Sequence, residues 1–130
     1  MTLEKLRKHC LSYPAATEQI QWGADLVFKV GGRMFAVAAT EPEVSHRLSF
    51  KCSHEAFAEL VEQDGIDPAP YMARAKWVAL ERFDALTDRE IEARIRDSYE
   101  LVFAKLTKKD QASIASGRGT SKTPAAKPKK

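Results

Sequence analysis

The chain has 130 residues, 44% of them hydrophobic and 30% charged, which is ordinary for a folded soluble protein and enough for one domain with its own core. No apolar run approaches the roughly 20 residues that cross a bilayer, and the N-terminus lacks the apolar stretch of a signal peptide. A cytoplasmic protein is therefore expected. Cys10 and Cys52 form no C-x-x-C motif, and a reducing compartment would leave both as free thiols.

Charge is distributed unevenly along the chain. Residues 107–130 hold seven Lys or Arg against one Asp, whereas residues 1–106 hold 14 Lys or Arg against 17 Asp or Glu. The net charge of +3 therefore comes from the C-terminal segment. A slightly negative body binds a polyanion only through a local group of cations, so the charge of the whole chain gives no support to a folded DNA-binding surface.

The first half of the chain predicts one helix followed by four strands. Thr2 can cap the helix, and Pro14 prevents its continuation. Gly31-Gly32 stands between two apolar runs, and adjacent glycines easily adopt the positive φ angles of a type I′ hairpin turn. Four short runs rich in β-branched and aromatic residues predict the strands: "TEQIQW" (17–22), "DLVFKV" (25–30), "RMFAVAAT" (33–40) and "SHRLSFK" (45–51), the last after an "EPEVS" loop (41–45).

The second half predicts helix, strand, helix and tail. Ser53 can cap the helix "SHEAFAELVEQDG". The segment "IDPAPYMARA" (66–75) is expected to be irregular because its two prolines each lack a backbone donor, and "KWVALERF" (76–83) predicts a fifth strand. Thr87 and Glu90 form a capping box before the long amphipathic pattern that ends at residue 106. Residues 107–130 have too few apolar side chains to offset the entropy of ordering, so a disordered basic tail is expected.

This order of elements predicts an α+β fold. A mostly antiparallel five-stranded sheet with the N-terminal, middle and C-terminal helices packed on one face is the simplest way to bury the apolar stripes. The other face is left open. Arg47, Ser49 and Lys51 alternate with apolar residues along the fourth strand, and Lys29 does so along the second, which places polar side chains on that open face.

Several separated motifs resemble the MmcQ/YjbR family. They are "PAATEQIQWG", "FKVGGRMFA", "LSFKC", "YMARAKWVAL" and "SYELVFAKL", and they extend over roughly residues 1–106. The resemblance implies a CyaY-like domain at 1–106, with an N-terminal helix, an antiparallel sheet and a C-terminal helix, followed by the tail at 107–130. It also implies DNA binding through hairpins that act as a double wing. The family brings no defined set of catalytic residues to transfer.

The candidate nucleic-acid-binding residues are cations on the open face and hairpin, one aromatic side chain beside them, and lysines of the tail. Cations on a rigid platform can contact phosphates, and an exposed tryptophan can stack on a base. The alternative is a solvated face with the tryptophan in the core, and a tail that only aids solubility. The residues are Lys29, Arg33, Arg47, Lys51, Arg74, Lys76 and Trp77 in the body, and Lys122, Lys127, Lys129 and Lys130 in the tail.

A metal site and a catalytic site receive little support from the sequence. Frataxin-like proteins, which share the CyaY-like fold, bind iron through acidic residues on the first helix, but here Glu4 is the only carboxylate in "LEKLRKHC". Two further pairs, Cys52 with His54 and His9 with Cys10, each supply two ligands where zinc requires about four. The chain has no G-x-S-x-G, phosphate loop or H-E-x-x-H motif. No metal, cofactor or catalytic residue is therefore expected.

The sequence thus favours a non-enzymatic, bacterial-type cytoplasmic protein that binds DNA as a monomer. The open sheet face and hairpins would hold the phosphates, and the tail would add nonspecific contacts. The alternative is a protein-interaction module in which the sheet face or the "IDPAPYMARA" loop docks a partner. An exposed apolar patch made of Tyr71, Met72 and Trp77 would favour that alternative.

Overall fold

The computed structural model describes residues 1–41 and 46–116. Most of the predicted "EPEVS" loop and the four tail lysines proposed to bind phosphate lie outside these ranges. The elements in chain order are α1 (Leu3–Leu11), β1 (Thr17–Gln21), β2 (Asp25–Val30), β3 (Arg33–Ala39), β4 (Leu48–Lys51), α2 (His54–Leu60), β5 (Ile66–Pro68), β6 (Trp77–Leu80), α3 (Asp88–Phe103) and α4 (Lys108–Ala115), with single 3-10 turns at Ala73–Ala75 and Phe83–Ala85.

The strands form one six-stranded sheet in the order β1-β2-β3-β4-β6-β5, and every neighbouring pair is antiparallel. The α+β class and the antiparallel sheet are confirmed, but the prediction of five strands is wrong. The additional strand, β5, occupies part of the segment predicted to be irregular. Pro68 is compatible with it because β5 lies at the edge of the sheet, where a missing donor breaks no ladder between two neighbours.

The main core lies between the sheet and the helices. Alternate residues of the central strands, such as Phe28, Phe50 and Leu80, are fully buried together with Ile91 and Ile95 of α3. The α3 helix begins at the predicted capping box, in which the Thr87 hydroxyl accepts from the Glu90 N–H and the Glu90 carboxylate accepts from the Thr87 N–H. In the described part of the chain, no helix is long and apolar enough to cross a membrane.

The opposite face of the sheet is less polar than its sequence pattern predicts. Val27 and Ala79 are fully buried there, and Trp77 is only 5% exposed. Trp77 packs with Ala79 and Ala69 in a second apolar cluster, against which Met72 also packs. This face therefore carries a small core of its own, covered by the segment between β5 and β6.

The fourth helix corrects the predicted start of the tail. Thr107 caps α4, with its side chain accepting from the Asp110 N–H at 3.1 Å. Ile114, an isolated apolar residue in the sequence, is 8% exposed and lies beside Tyr13 and Phe103. Disorder from residue 107 is therefore wrong for residues 107–116, because a groove built by distant residues supplies the apolar contact that the local sequence lacks.

Candidate nucleic-acid interface

Four segments of the chain bring cations to one end of the sheet. The β2–β3 turn, the end of β4 and the start of β6 share this end because β3, β4 and β6 run alternately antiparallel, with Lys51 directly opposite Trp77. The link after α3 reaches the same end, where Leu106 contacts Gly31. We call the cations of these segments the basic edge: Lys29, Arg33, Lys51, Arg74, Lys76 and Lys105.

The β2–β3 hairpin is a rigid part of this edge. Gly31 and Gly32 have φ angles of 58° and 83°, as a type I′ turn requires. A Cβ atom on Gly31 would lie 2.6 Å from Leu106 Cδ2, so the turn is packed closely against the link between α3 and α4. Arg33 follows this anchored turn directly, and its side chain is exposed to solvent.

Two lysines of the basic edge also have structural contacts. Lys51 Nζ donates to the Ala75 carbonyl oxygen at 2.6 Å and so ties the end of β4 to the segment before β6. Burial, and then the positive charge of Lys105, lower the pKa of Lys51 below its usual value. Lys76 Nζ lies 4.8 Å from the centroid of the Phe57 ring. The two ammonium groups are thus held in place rather than free to swing.

The segments that form the basic edge carry no carboxylate of their own. The segments 29–34, 50–53, 73–77 and 104–109 contain no Asp or Glu. Within residues 1–41 and 46–116, none of the six cations lies within 4 Å of a carboxylate oxygen. Acidic side chains on flanking helices are Glu55, Asp97, Glu100 and Asp110, and on β1 Glu18, which is paired with Arg7, follows Thr17, the partner of Lys29.

The other end of the sheet has the opposite charge. Asp25 begins β2 there, and its pKa is raised by burial and by the negative charge of Glu41. Arg82 follows β6 at this end and pairs with Asp84 at 2.8 Å. A domain with a small net charge therefore has a positive and a negative end, which the balance of charges along the sequence conceals.

Two of the predicted site residues lie outside this surface. Arg47 precedes β4, roughly 13 Å along the strand from Lys51, with its guanidinium 5.3 Å from the Phe83 ring centroid and bonded to the Glu41 carbonyl oxygen. Trp77 is at the correct end but is buried, so the prediction that it stacks on a base is wrong for this fold. Lys29, Arg33, Lys51, Arg74 and Lys76 are brought together.

Sequence reasoning missed two residues of this region. Lys105 was not predicted because only the packing of Leu106 on Gly31 brings it to the hairpin. From the sequence, Tyr71 was considered only as a member of an exposed apolar patch with Met72 and Trp77. The structure contradicts this patch, because Tyr71 is the one member of the three that is fully exposed. Pro68 and Pro70, on either side of Ala69, were the sequence signal that this segment forms a loop of defined conformation.

The remaining chemistry of the described residues is limited. Residues 1–41 and 46–116 contain no group of three or more His, Cys, Asp or Glu side chains placed to hold a metal ion. Cys10 and Cys52 are buried free thiols. Burial raises the pKa of both, most strongly for Cys10, so neither is set up as an activated nucleophile.

The YjbR family profile matches residues 11–101, and the chain therefore belongs to the YjbR family. The crystal structure of Deinococcus radiodurans protein DR2400, which has a DUF419 domain, is similar at 28% identity and a TM-score of 0.77, over 88% of each chain. A Pseudomonas syringae protein shares the fold at 19% identity and a TM-score of 0.65, over 78% of this chain and 99% of its own. No curated protein matches the chain.

Proposed function

We propose that this YjbR-family protein is a non-enzymatic DNA-binding protein that contacts backbone phosphates through the basic edge. The observation that carries the proposal is the grouping of six cations, from four separate segments, at one end of a slightly acidic body. Since none of them is paired with a carboxylate in the described part of the chain, their charge is available to a polyanion.

The binding surface in this proposal is an edge rather than the open sheet face. Consecutive antiparallel hairpins turn at opposite ends of a sheet, so the β1–β2 turn at Trp22-Gly23 lies away from Gly31-Gly32. Of these two hairpins, only β2–β3 presents cations to the basic edge. The family resemblance implies a double wing made of hairpins. In this proposal only one of these two hairpin turns contacts DNA, together with the end of β4 and the link after α3.

The tail has a supporting role in this proposal. Four tail lysines add positive charge beyond Ser116, the C-cap of α4, and so can condense on phosphates without sequence preference. They are Lys122, Lys127, Lys129 and Lys130. Truncation after Ser116 removes these four lysines and keeps every helix and strand named above. Truncation after Leu106 would also remove Ile114 from the core. A loss of DNA binding in that shorter chain could then come from lost charge or from a destabilised fold.

The test is a fluorescence anisotropy titration of labelled DNA that contains both a duplex and a single-stranded overhang, over a range of salt. In the chain truncated after Ser116, which lacks the tail lysines, six phosphate contacts would give a log–log slope of about −5 on duplex DNA and about −4 on a single strand. Arg33→Gln should weaken binding and reduce the slope by about 0.9. The matched control is Arg89→Gln, an exposed arginine in the first turn of α3, about 21 Å from Phe103 at the end of that helix, which should leave binding unchanged.

The result that would overturn the proposal is equal binding by the Arg33 and Arg89 variants, or no binding at low salt. If only the truncation after Ser116 abolishes binding, the tail alone attracts DNA and the basic edge has no part in it. A salt-dependent complex that persists in the truncated chain and weakens with Arg33→Gln supports the basic edge.

A further inference from the structure

We propose that the DNA bound at the basic edge is single-stranded and that one of its bases stacks on Tyr71. This inference rests on the proposed function and adds the form of the ligand. Tyr71 lies in the segment between β5 and β6, which we call the Tyr71 loop (residues 69–76). Its side chain is fully exposed, whereas the neighbouring Met72 is partly buried.

The backbone holds Tyr71 outward. Its φ angle of 66° lies in the left-handed region, which is uncommon for a bulky residue and is found at binding sites more often than elsewhere. Pro70 precedes it and fixes the direction of the chain on that side. A large aromatic ring left entirely in water has no stabilising role in the described fold. Trp22 is also exposed and also has a positive φ, of 51°, so the position of Tyr71 in the fold is what distinguishes it.

The base of the Tyr71 loop is well ordered by hydrogen bonds and packing. The Ala69 N–H donates to the Trp77 carbonyl oxygen at 3.0 Å, and the Trp77 N–H donates to the Met72 carbonyl oxygen at 3.2 Å. Ala69 and Met72 also pack on the buried Trp77 ring. Trp77 thus supports the loop from beneath, and a ring presented on a fixed loop loses little conformational freedom when it binds.

The Tyr71 loop is at the same end of the sheet as the basic edge. Arg74 is three residues along in the same loop and is exposed, and Lys51 Nζ is bonded to the Ala75 carbonyl oxygen. An aromatic platform beside a track of cations is the arrangement that binds single strands, where bases stack and phosphates are neutralised. Trp22, also exposed, lies at the opposite end of the sheet near Glu41 and Asp25, where charge would repel a phosphate.

The exposed ring distinguishes a single strand from a duplex. In a duplex both faces of each internal base are covered by its neighbours, so a tyrosine on a surface loop has no base to stack on. An unpaired base offers a free face, and such stacking tolerates any sequence. The basic edge alone would bind either form through phosphates. A higher affinity for the single strand than for the duplex is therefore the property that tests the role of Tyr71.

The experiment compares full-length variants by anisotropy on a labelled oligothymidylate of about 12 nucleotides and on a duplex of the same length, at one salt concentration. The wild-type protein should bind the single strand more tightly. Tyr71→Ala should weaken single-strand binding by about 5-fold to about 150-fold and change duplex binding by less than about 2-fold. Tyr71→Phe, which keeps the ring, should bind as the wild type does, and Trp22→Ala is the matched aromatic control.

The outcomes separate this inference from the proposed function. Equal binding of both DNA forms, or equal losses on both forms for Tyr71→Ala, would overturn the stacking role. If Arg33→Gln still weakens binding in that case, the phosphate-binding function stands without it. If neither DNA form binds, both proposals fall. Circular dichroism of the Tyr71→Ala protein checks that the fold is kept, as expected for a side chain without contacts to the core.

Discussion

The Ser98 hydroxyl group on α3 donates a hydrogen bond to the carbonyl oxygen of Phe35 on β3, at 2.6 Å. The Ser98 Oγ atom in turn accepts a hydrogen bond from the Lys51 N–H on β4 at 3.0 Å. The β2–β3 register shifts between Phe28 and Lys29, leaving Phe35 without a partner on β2. A fully buried serine therefore bridges β3 and β4 beside this irregularity and joins the end of β4, where Lys51 stands, to the helical layer.

Replacing Ser98 with alanine should lower the free energy of unfolding by about 2 kcal/mol, because a buried acceptor on Phe35 and a partly buried donor on Lys51 lose their partner. Urea denaturation should show a lower midpoint with an unchanged m value. Ser113→Ala, which removes an exposed hydroxyl from α4, is the control and should change stability by less than about 0.5 kcal/mol. Equal midpoints for the two variants would contradict the bridging role.

Replacing Gly31 with alanine should be more destabilising than replacing Gly32, by about 1 kcal/mol, because the new methyl group would overlap the Leu106 side chain. Gly32 also has a positive φ, but a Cβ there meets nothing within 4 Å. Thermal or urea unfolding of both variants gives the comparison. Combining each change with Leu106→Ala should remove the difference, and additive effects in that double-mutant cycle would argue against the contact.

The ion pair between α1 and β1 should make stability depend on pH. Arg7 holds Glu18 through two bonds of 2.9 and 2.6 Å, and its hydrogen bonds lower the pKa of Glu18 below the usual value near 4.3. A carboxylate with a depressed pKa stabilises the fold above its unfolded pKa, and that contribution is lost as the pH falls through its folded pKa.

Wild-type protein should accordingly exceed Glu18→Gln in unfolding free energy by about 1 kcal/mol at neutral pH, and the gap should close in acid. Urea titrations from pH 7 to pH 3 measure it. Glu59→Gln changes an exposed carboxylate of α2 and should show no such gap. A difference for Glu18→Gln that is constant across this range would show that charge is not its cause.

The fourth helix should contribute to stability through one side chain. Ile114→Ala should cost about 2 kcal/mol, since it truncates a buried side chain of the main core. Ile20→Ala is the matched control, because Ile20 is 55% exposed on the edge strand β1 and its truncation should cost less than about 0.5 kcal/mol. If the two isoleucine variants unfold at the same urea concentration, α4 does not belong to the cooperative unit.

Local sequence patterns determined much of the fold. The Thr87 capping box, the Gly31-Gly32 turn and the alternation around Phe50 each act over a few neighbouring residues, so a helix start, a hairpin and a strand face could be read directly. The same alternation placed Lys51 correctly. It did not reveal β5, because a three-residue edge strand ending in a proline is formed by its partner β6 rather than by its own propensity.

Tertiary structure decided which charges and rings act together. The sequence left open whether Trp77 stacks on a base or lies in the core, and the fold of residues 69–76 buries Trp77 and leaves Tyr71 outside. Lys105 reaches the hairpin only because Leu106 packs on Gly31, about 75 residues away in the chain. Contacts over such separations depend on the packing of whole elements, and no local pattern records them.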